Sequence, residues 1–528
     1  MIIIFSIFFC FILVVFYKLW WNPIHMQHML SSQGLKGPSY KFLHGNTKEI
    51  IKMRKEAIKT PTDLHDHDVF PRILPHFNTW MKLYGSNFVI WIGDQPQIFV
   101  TEPDLAKEIL INKEGIYQKI KPISHAKKLL GDGLVVAEGE KWSKLRKLSN
   151  HSFHAESLKD MVPAMIASVD TMLERWRCHE GEELEISNEF RLLTAEVISR
   201  TAFGSSYLEG KNIFEMLTKL GVLAARNVYK IRLFGLEKIL MSKDDIESDK
   251  VEKSLRDSIV SLIRTREEKV NAGELDNFGS DFLGSLLKLH HDLDPKSRIS
   301  VDEIVDECKV FYLAGHETTS SLLSWIVLLL SIYPDWQEKA RIEVLQLFGK
   351  ENPTAEGIAR TKILTMVVNE ALRLYSPVVN LTRKVTKKVR LGRYELPVNV
   401  DVNVPPLALH RNPEIWGKDA HLFKPERFDQ GLAKATNENT MAFLPFGFGP
   451  RICVGFNFAA NESKITLSMI LQRYKFRLSP NYVHSPFQLL TVYPQHGIKI
   501  ILQSLSSLKN ALEVDGSALE SIITTAEN

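Results

Sequence analysis

The chain of 528 residues has little cysteine and only a small excess of positive charge. Its four cysteines, Cys10, Cys178, Cys308 and Cys453, are too few and too far apart for a disulfide framework, which favours a reducing compartment. A formal net charge of +4 is too small to indicate a nucleic-acid partner. Linkers rich in Gly and Ser, internal repeats and low-complexity blocks are also missing between about residues 35 and 502. These absences favour one large domain over several small ones.

A long hydrophobic run is present at the N-terminus. Residues 1–17 contain no charged side chain, and the run continues past Lys18 to Trp20 and Trp21, close to the roughly 20 residues that cross a bilayer. A cleaved signal peptide is the alternative, but no basic region precedes the run and no small-residue cleavage site follows it. We predict a single transmembrane helix. Because positive charge lies on its C-terminal side, the body of the protein is expected in the cytosol.

The predicted organisation has four parts. The anchor at residues 1–22 is followed by a Gly/Pro-containing linker at 23–40, because the sequence GLKGPSY cannot continue a helix. The folded domain is predicted at 41–503. The remaining residues, 504–528, are rich in Ser, Ala and charge and are expected to form a disordered tail.

Most of the domain has helical periodicity. Apolar residues recur at spacings of three to four in long segments, which predicts helices at 155–177, 184–203 and 250–270. Short extended runs predict a hairpin from 88–92 and 97–101 and further strands within 394–404 and 489–502. The fold class predicted from these patterns is mainly α with small peripheral sheets.

One predicted helix has poor helix formers at its centre. It begins at a capping box, Ser300 with Glu303, and ends at Tyr333-Pro334, so it is about 45 Å long. The sequence AGHETT, residues 314–319, lies at its middle. Glycine there costs about 1 kcal/mol relative to alanine, and two threonines add to that cost. We therefore expect this segment to be functional.

A glycine-rich stretch near the C-terminus, FGFGPRICVG, surrounds one cysteine. Its glycines allow the backbone to pass close to a bulky group, Arg451 can pair with an anion, and nearby amides can stabilise a Cys453 thiolate. A buried, inert cysteine is the ordinary alternative for a lone intracellular residue. The combination of five such residues within ten positions favours a metal-bound thiolate instead; they are Phe446, Gly449, Arg451, Cys453 and Gly455.

This stretch resembles the haem-binding loop of the cytochrome P450 superfamily, in which the cysteine thiolate is the axial ligand of haem iron. Four further motifs are similar to that family's motifs. They are AGHETT, the oxygen-activating helix; Glu370-Ala-Leu-Arg373, its paired Glu-x-x-Arg; Pro425–Phe428, which completes that pair; and Trp142-x-x-x-Arg146, the propionate-binding helix. All occur in the family's order. The resemblance covers about residues 35–502 and implies the cytochrome P450 fold with heme b.

The resemblance implies a structural ion network of Glu370, Arg373 and Arg427. On an exposed helix the Glu370–Arg373 pair would contribute only a few tenths of a kcal/mol. Apolar residues surround the pair on nearly all sides, however, so we expect it to be buried and satisfied internally. Arg427 is expected as its third member, by resemblance.

Four residues are implied to bind the haem propionates. Trp142 and Arg146 lie on one helix face and offer an indole N–H and a guanidinium to one carboxylate, and Arg383 and Arg451 are assigned by the same logic and by resemblance. A solvated basic face is the alternative for Arg146, because Lys141, Lys144 and Lys147 flank it. Both interpretations can hold, since such a face could dock an acidic electron donor.

Two residues of the central helix are implied to serve catalysis, and a third, Gly315, is implied to line the cofactor site. A hydroxyl beside a carboxylate in an apolar helix is suited to proton delivery, so Thr318 is expected to hold the proton donor and Glu317 to resupply it. Gly315 is expected to leave space for oxygen. The alternative for Thr318 is a hydroxyl that merely bonds the carbonyl of Ala314.

The resulting prediction is a monooxygenase in the endoplasmic reticulum membrane. It takes electrons from NADPH through NADPH-cytochrome P450 reductase and inserts one atom of O2 into a lipophilic small molecule. Residues 131–165 resemble the plant microsomal clan that contains secologanin synthase, which implies terpenoid-like or hormone-like substrates and plant secondary metabolism. A haem-thiolate isomerase or dehydratase that needs no reductase, and a non-catalytic haem-binding membrane protein, are the alternatives.

Overall fold

The computed structural model describes residues 2–230 and 241–505. Within these ranges the α-helices, numbered α1 to α21 in chain order, are Ile2–Phe16, Asn22–Ser32, Thr47–Ala57, Phe70–Ile73, Pro75–Tyr84, Pro103–Ile111, Ser124–Leu130, Gly139–Ser152, Ala155–Trp176, Ile186–Phe203, Tyr207–Asn227, Lys243–Asn271, Phe282–His290, Val301–Ile332, Pro334–Phe348, Ala355–Arg360, Ile363–Leu374, Pro406–Leu409, Pro413–Trp416, Leu432–Ala435 and Phe456–Arg473. The three predicted helices correspond to α9, α10 and α12. The mainly helical fold is confirmed.

The strands are short and form four small sheets. In the same described ranges, β1 to β12 are Phe88–Ile92, Gln95–Phe99, Tyr117–Gln118, Glu183–Glu185, Leu381–Val385, Val389–Leu391, Tyr394–Leu396, Asp401–Val404, Tyr474–Leu478, Pro486–Gln488, Val492–Pro494 and Lys499–Ser504. The largest sheet has the order β1-β2-β8-β5-β3, and the others are β4-β12-β9, β10-β11 and β6-β7. The predicted hairpin is β1-β2, with Phe88 paired to Phe99.

Helix α14 runs through the centre of the domain. The side chain of its N-cap, Ser300, accepts the N–H of Glu303, and the Glu303 carboxylate accepts the N–H of Ser300 at 2.9 Å, which confirms the capping box. The helix ends at Tyr333, immediately before Pro334. Most of its side chains from Ser320 to Leu330 are buried in the main core, and α10 packs along it. This packing fixes the position of AGHETT.

Residues 23–40 differ from the predicted linker. Helical structure continues from α1 through a π-helical turn at Tyr17–Trp21 into α2, which ends at Ser32. Leu30 and Leu35 are fully buried in a second core beneath the largest sheet. The hydroxyl of Tyr40 donates to the carbonyl of Leu19 at 2.6 Å. These apolar contacts hold the segment against the domain, and the turn at Gly34, with φ of 91°, only redirects the chain.

The N-terminal helical stretch Ile2–Ser32 is long and apolar enough to cross a membrane. Its most apolar window has a mean hydropathy of 2.7, and none of that window is buried in the protein. The predicted tail at 504–528 lies outside the described residues except for the end of β12 and residue 505.

Candidate functional site

The cysteine loop lies between a 3₁₀ turn at Gly449–Arg451 and the start of α21. The N–H of Cys453 donates to the carbonyl of Phe446 at 2.9 Å, which closes the loop. Gly449 has a φ of 73°, and a Cβ there would lie 2.6 Å from the carbonyl oxygen of Leu110 in α6. Only glycine fits both constraints. Gly449 therefore shapes the loop by its contact with α6 and does not itself line the cavity described next.

An apolar cavity lies between the cysteine loop and α14. Cys453 is exposed to this cavity, although protein surrounds its thiol on nearly all sides. Burial raises the pKa of the Cys453 thiol, whereas the Gly455 amide and the charge of Arg146 lower it in part. Of the residues predicted from the sequence, those that line the cavity are Trp142, Arg146, Gly315, Thr318, Arg383, Phe446, Arg451 and Cys453. Sequence positions more than 300 apart thus meet in one site.

A basic cluster forms one side of the cavity. Arg146 on α8 donates to the carbonyl of Ile452 at 2.5 Å, beside the cysteine. The guanidinium carbon of Arg451 lies 4.2 Å from the centre of the Trp142 ring, a cation–π contact. Arg383 on β5 is buried and also lines the cavity. The four predicted propionate-binding residues are therefore brought together by α8, β5 and the cysteine loop.

Sequence reasoning did not single out two members of this cluster, although Lys119 lies in the segment 117–130 that the family resemblance places at the pocket. Lys119 lines the cavity, and burial together with the charges of Arg383 and Arg451 lowers its pKa to about 7. Glu138 accepts the backbone N–H of Lys119 at 2.6 Å and pairs with Arg451 at 2.5 Å. No periodicity or spacing distinguishes either residue from the many other charged residues of the chain, because the contacts depend on tertiary structure.

The basic cluster carries more positive charge than its single carboxylate compensates. Burial and the charge of Arg451 lower the pKa of Arg383 to about 10. Among the described residues, Nη1 of Arg451 is buried and has no hydrogen-bond partner. Buried charge without a counter-charge is unfavourable, so this wall fits a ligand that carries carboxylates. A flat apolar ligand with two carboxylates and a metal that binds thiolate satisfies the cations, the apolar walls and Cys453 together, and haem has these properties.

The two residues predicted for proton delivery are adjacent in α14, but their side chains have different surroundings. Thr318 lines the cavity, and its hydroxyl donates to the carbonyl of Ala314 at 2.7 Å, the back-bonding arrangement considered as the alternative. Since the donated proton leaves the oxygen lone pairs available, Thr318 can still accept a hydrogen bond from the cavity. Glu317 is buried and pairs with Arg191 of α10 at 2.8 Å, and it does not line the cavity.

Packing against α10 also determines the surroundings of Glu317 and Gly315. Burial raises the pKa of Glu317, and the charge of Arg191 offsets part of that rise. Arg191 also donates to the hydroxyl of Thr218 at 3.1 Å. A Cβ at Gly315 would lie 2.7 Å from the Cδ1 atom of Ile198. A larger residue at position 315 would therefore displace the Ile198 side chain of α10, which favours glycine here in addition to any need for space in the cavity.

The predicted ion network is assembled between α17 and the segment that contains Arg427. Glu370 and Arg373 are fully buried in α17 and form two hydrogen bonds of 2.7 Å each. Nε of Arg427 lies 3.5 Å from Glu370, and its guanidinium also pairs with Asp419 at 2.9 Å. Arg373 donates to the carbonyls of His410, Ala420 and Leu422. The network ties α17 to the chain between residues 410 and 427.

Known proteins are similar to this chain over nearly its whole length. The family model Cytochrome P450 matches residues 71–502. Cytochrome P450 CYP749A22 from Panax ginseng is 55% identical over 500 residues, which cover 94% of this chain and 95% of that protein. 11-oxo-beta-amyrin 30-oxidase from Glycyrrhiza uralensis is 42% identical over 501 residues, covering 92% and 94%. Cytochrome P450 734A1 from Arabidopsis thaliana is 37% identical over 498 residues, covering 93% and 94%.

These matches and the cavity agree on one assignment. The matched range contains every motif singled out in the sequence, from Trp142 to Cys453. The relatives are cytochromes P450 and an oxidase, by name. The chain therefore belongs to the cytochrome P450 family, the haem monooxygenases whose iron has an axial cysteine thiolate.

Proposed function

We propose that this chain is a membrane-anchored monooxygenase that takes electrons from NADPH through NADPH-cytochrome P450 reductase and oxidises an apolar, terpenoid-like or hormone-like molecule. The observation that carries the proposal is the cavity itself, which has Cys453 on one wall, a basic cluster on another and Thr318 on an apolar helix face. The apolar helix at Ile2–Ser32 supports the anchor. We place it in the endoplasmic reticulum membrane, with the catalytic domain in the cytosol.

The basic cluster and the cysteine would hold the haem. Cys453 would be its axial ligand, and Trp142, Arg146, Arg383 and Arg451 would bind its carboxylates. Lys119 joins them as a fifth group, because it lines the same wall of the cavity. When bound, the haem supplies the binding and reductive activation of O2.

Thr318 is the residue we assign to proton placement. Its hydroxyl proton is directed to Ala314, so its oxygen faces the cavity as an acceptor for a water or a protonated group. The surrounding wall, which includes Val310, Phe311 and Leu322, is apolar and limits the water that can enter. We assign Glu317 to proton supply from its buried position next to Thr318. Burial raises the pKa of Glu317, which favours the protonated form that can give a proton, although the charge of Arg191 offsets part of that rise.

The cavity walls support an apolar substrate. Side chains from α10, α14 and the segment around β5 contribute aliphatic surface, among them Ile198, Val310, Val378 and Leu381. Apolar walls bind a ligand more tightly the more apolar surface it buries, and they offer few hydrogen-bond partners for polar groups. One relative is named 11-oxo-beta-amyrin 30-oxidase, which supports a terpenoid-like substrate here.

Helix α8 is the proposed docking face for the reductase. Its basic residues Lys141, Lys144 and Lys147 lie in the same helix as Arg146, whose guanidinium contacts the cysteine loop. Lys141 pairs with Glu303 at 3.5 Å and Lys144 donates to the carbonyl of Arg298 at 2.8 Å, whereas Lys147 is exposed. A basic face so close to the cysteine favours an acidic electron donor by charge complementarity.

Reconstitution of the full-length protein with purified reductase tests the proposal. We expect product from 11-oxo-beta-amyrin, or from another triterpenoid in a panel, that requires both NADPH and reductase. Conversion without either component would favour the isomerase or dehydratase alternative. Haem binding with no substrate-dependent use of NADPH across the panel would favour the non-catalytic alternative.

Thr318→Ala tests the assigned proton placement. The variant loses the hydroxyl but no contact of Cys453, so the carbon monoxide spectrum and the reduction rate should be retained. Product formed per NADPH should fall and hydrogen peroxide should rise, because general acid–base groups contribute about 10²–10⁴-fold.

Thr201→Ala is the matched control for this variant. Thr201 on α10 makes the same bond to a carbonyl four residues earlier, at 2.7 Å, and does not line the cavity. It should retain the parent ratio of product to NADPH. A Thr318→Ala enzyme that couples as well as Thr201→Ala would refute the assignment.

A further inference from the structure

A second group of metal-binding side chains lies outside the cavity, where α12 and α13 meet. Glu267 is near the C-terminal end of α12, His290 is the last residue of α13, and His291 follows it. One ligand atom of each residue lies within 4.8 Å of the ligand atoms of the other two. Two imidazole nitrogens and one carboxylate oxygen at this spacing are a ligand set that divalent transition metals use.

The histidine rings are held in place by neighbouring groups. Nδ1 of His290 lies 2.7 Å from the carbonyl oxygen of Ile299. Because a carbonyl only accepts, Nδ1 carries the proton and Nε2 keeps its lone pair, the arrangement that orients metal-binding histidines. The ring of His291 stacks on Phe278 with centroids 5.0 Å apart and planes 8° apart. Both rings therefore have defined positions before any ion binds.

The group contains one carboxylate, and the neighbouring arginines are bonded to other groups. Glu267 contributes its carboxylate and lies 2.8 Å from Nε2 of His291. The adjacent Arg266 is directed elsewhere, since it pairs with Asp281 at 3.0 Å and donates to the carbonyl of Phe278. Nε of Arg298 donates to the carbonyl of Asp292 at 2.6 Å. The exposed side of His291 leaves room for the water ligands that complete the shell of a three-ligand site.

We propose that Glu267, His290 and His291 form a binding site for a divalent transition-metal ion of the zinc class, separate from the haem site. Such an ion would join the end of α12 to the end of α13. Through the bond from His290 to Ile299 it would also fix the segment 291–299, which leads into α14. Lys144 of α8 donates to the carbonyl of Arg298 within that segment, so the metal site would also be linked to the proposed reductase-docking helix. The proposal does not depend on the substrate or on the monooxygenase reaction.

Metal titration of the haem-loaded, full-length protein without a polyhistidine tag tests the site. The protein carries Cys178→Ser, which removes an exposed thiol, and is first treated with a chelator. Calorimetry with Zn²⁺ should show one saturable site. Zn²⁺ should also slow backbone hydrogen exchange in residues 291–299.

Three single variants, His290→Ala, His291→Ala and Glu267→Gln, should each weaken Zn²⁺ binding by about tenfold or more. The matched control is the double variant His151→Ala with His154→Ala. The rings of these two histidines stack 5.4 Å apart, but neither belongs to such a ligand group among the described residues. The control should bind as the parent does. An unchanged carbon monoxide spectrum verifies that each variant is folded. The proposal is overturned if the parent binds no Zn²⁺, or if the single variants bind as tightly as the control.

Discussion

Replacing Arg373 with methionine tests how much the buried ion network contributes to the free energy of unfolding of the domain. Arg373 and Glu370 are both fully buried, so the variant leaves a carboxylate without its main counter-charge. It also removes the donor to three backbone carbonyls. Breaking a buried pair in this way costs about 3–5 kcal/mol. Arg427, at 3.5 Å from Glu370, compensates in part, so we expect about 3 kcal/mol, or roughly a 150-fold change in the unfolding equilibrium.

Urea unfolding followed by tryptophan fluorescence measures this loss; because the urea dependence of a domain this large is steep, the midpoint should fall by about 0.5–1 M. The matched control is Arg177→Met. Glu174 and Arg177 have the same order and i,i+3 spacing as Glu370 and Arg373, and they approach to 3.3 Å, but both side chains are about two-thirds exposed. Such a pair contributes only about 0.2–0.5 kcal/mol, so the control should shift the midpoint little.

A double variant distinguishes lost charge pairing from lost packing. Glu370→Gln with Arg373→Met removes both charges, and Arg427 remains paired with Asp419. Its midpoint should recover part of the loss seen in Arg373→Met. Equal midpoints for Arg373→Met and Arg177→Met would refute the argument that burial gives this network its strength.

Three further perturbations address the ligand, the anchor and the response to acid. Cys453→Ser should abolish the red-shifted Soret band of the reduced carbon monoxide complex and Cys178→Ser should keep it; a retained band in Cys453→Ser would exclude Cys453 as the axial ligand. Deleting residues 2–16, none of which is buried, should shift protein out of the integral membrane fraction while haem is retained. Deleting residues 2–32 also removes the buried Leu30 and should lower the stability of the domain. Equal stability of the two deletion variants would contradict the packing of α2. Burial lowers the pKa of His67 to about 3 and that of His484 to about 4, below the value of about 6.5 in an unfolded chain. Their contribution to stability is therefore complete above about pH 6.5 and is lost as the pH falls toward 4, by about 1.4 kcal/mol per histidine at about pH 5.5. An unchanged urea midpoint between about pH 7 and 5.5 would contradict this.

The sequence predicted the helices best where local signals agree with tertiary packing. The capping box at Ser300 and the proline at 334 mark the two ends of α14, and both signals act within a few residues. The linker at 23–40 was predicted from Gly34, Gly37 and Pro38. Those residues end the helix as expected, but the burial of Leu30 and Leu35 depends on a sheet whose strands come from residues 88 to 404, which no local pattern reveals.

The site was predictable to the extent that its residues occur in motifs. Trp142, Arg146 and Arg451 lie in short fixed patterns and meet at the cavity. Lys119 and Glu138 occur in no such pattern, although they contact the same cluster. The separation of Glu317 from the cavity was also not predictable, because its direction is set by Arg191, 126 residues earlier on α10.

Two of the groups of buried charges among the described residues, the Glu370–Arg373 network and the cavity wall, differ in how they are compensated. Arg373 is matched by a carboxylate and by carbonyls of its own chain, so its charge is satisfied without any ligand. The cavity wall instead places Arg383, Arg451 and Lys119 around the single carboxylate of Glu138, and one guanidinium nitrogen has no partner among the described residues. Because uncompensated buried charge opposes folding, a bound group that supplies the missing negative charge would stabilise this wall. The cation excess therefore marks the ligand-binding wall independently of the cysteine motif.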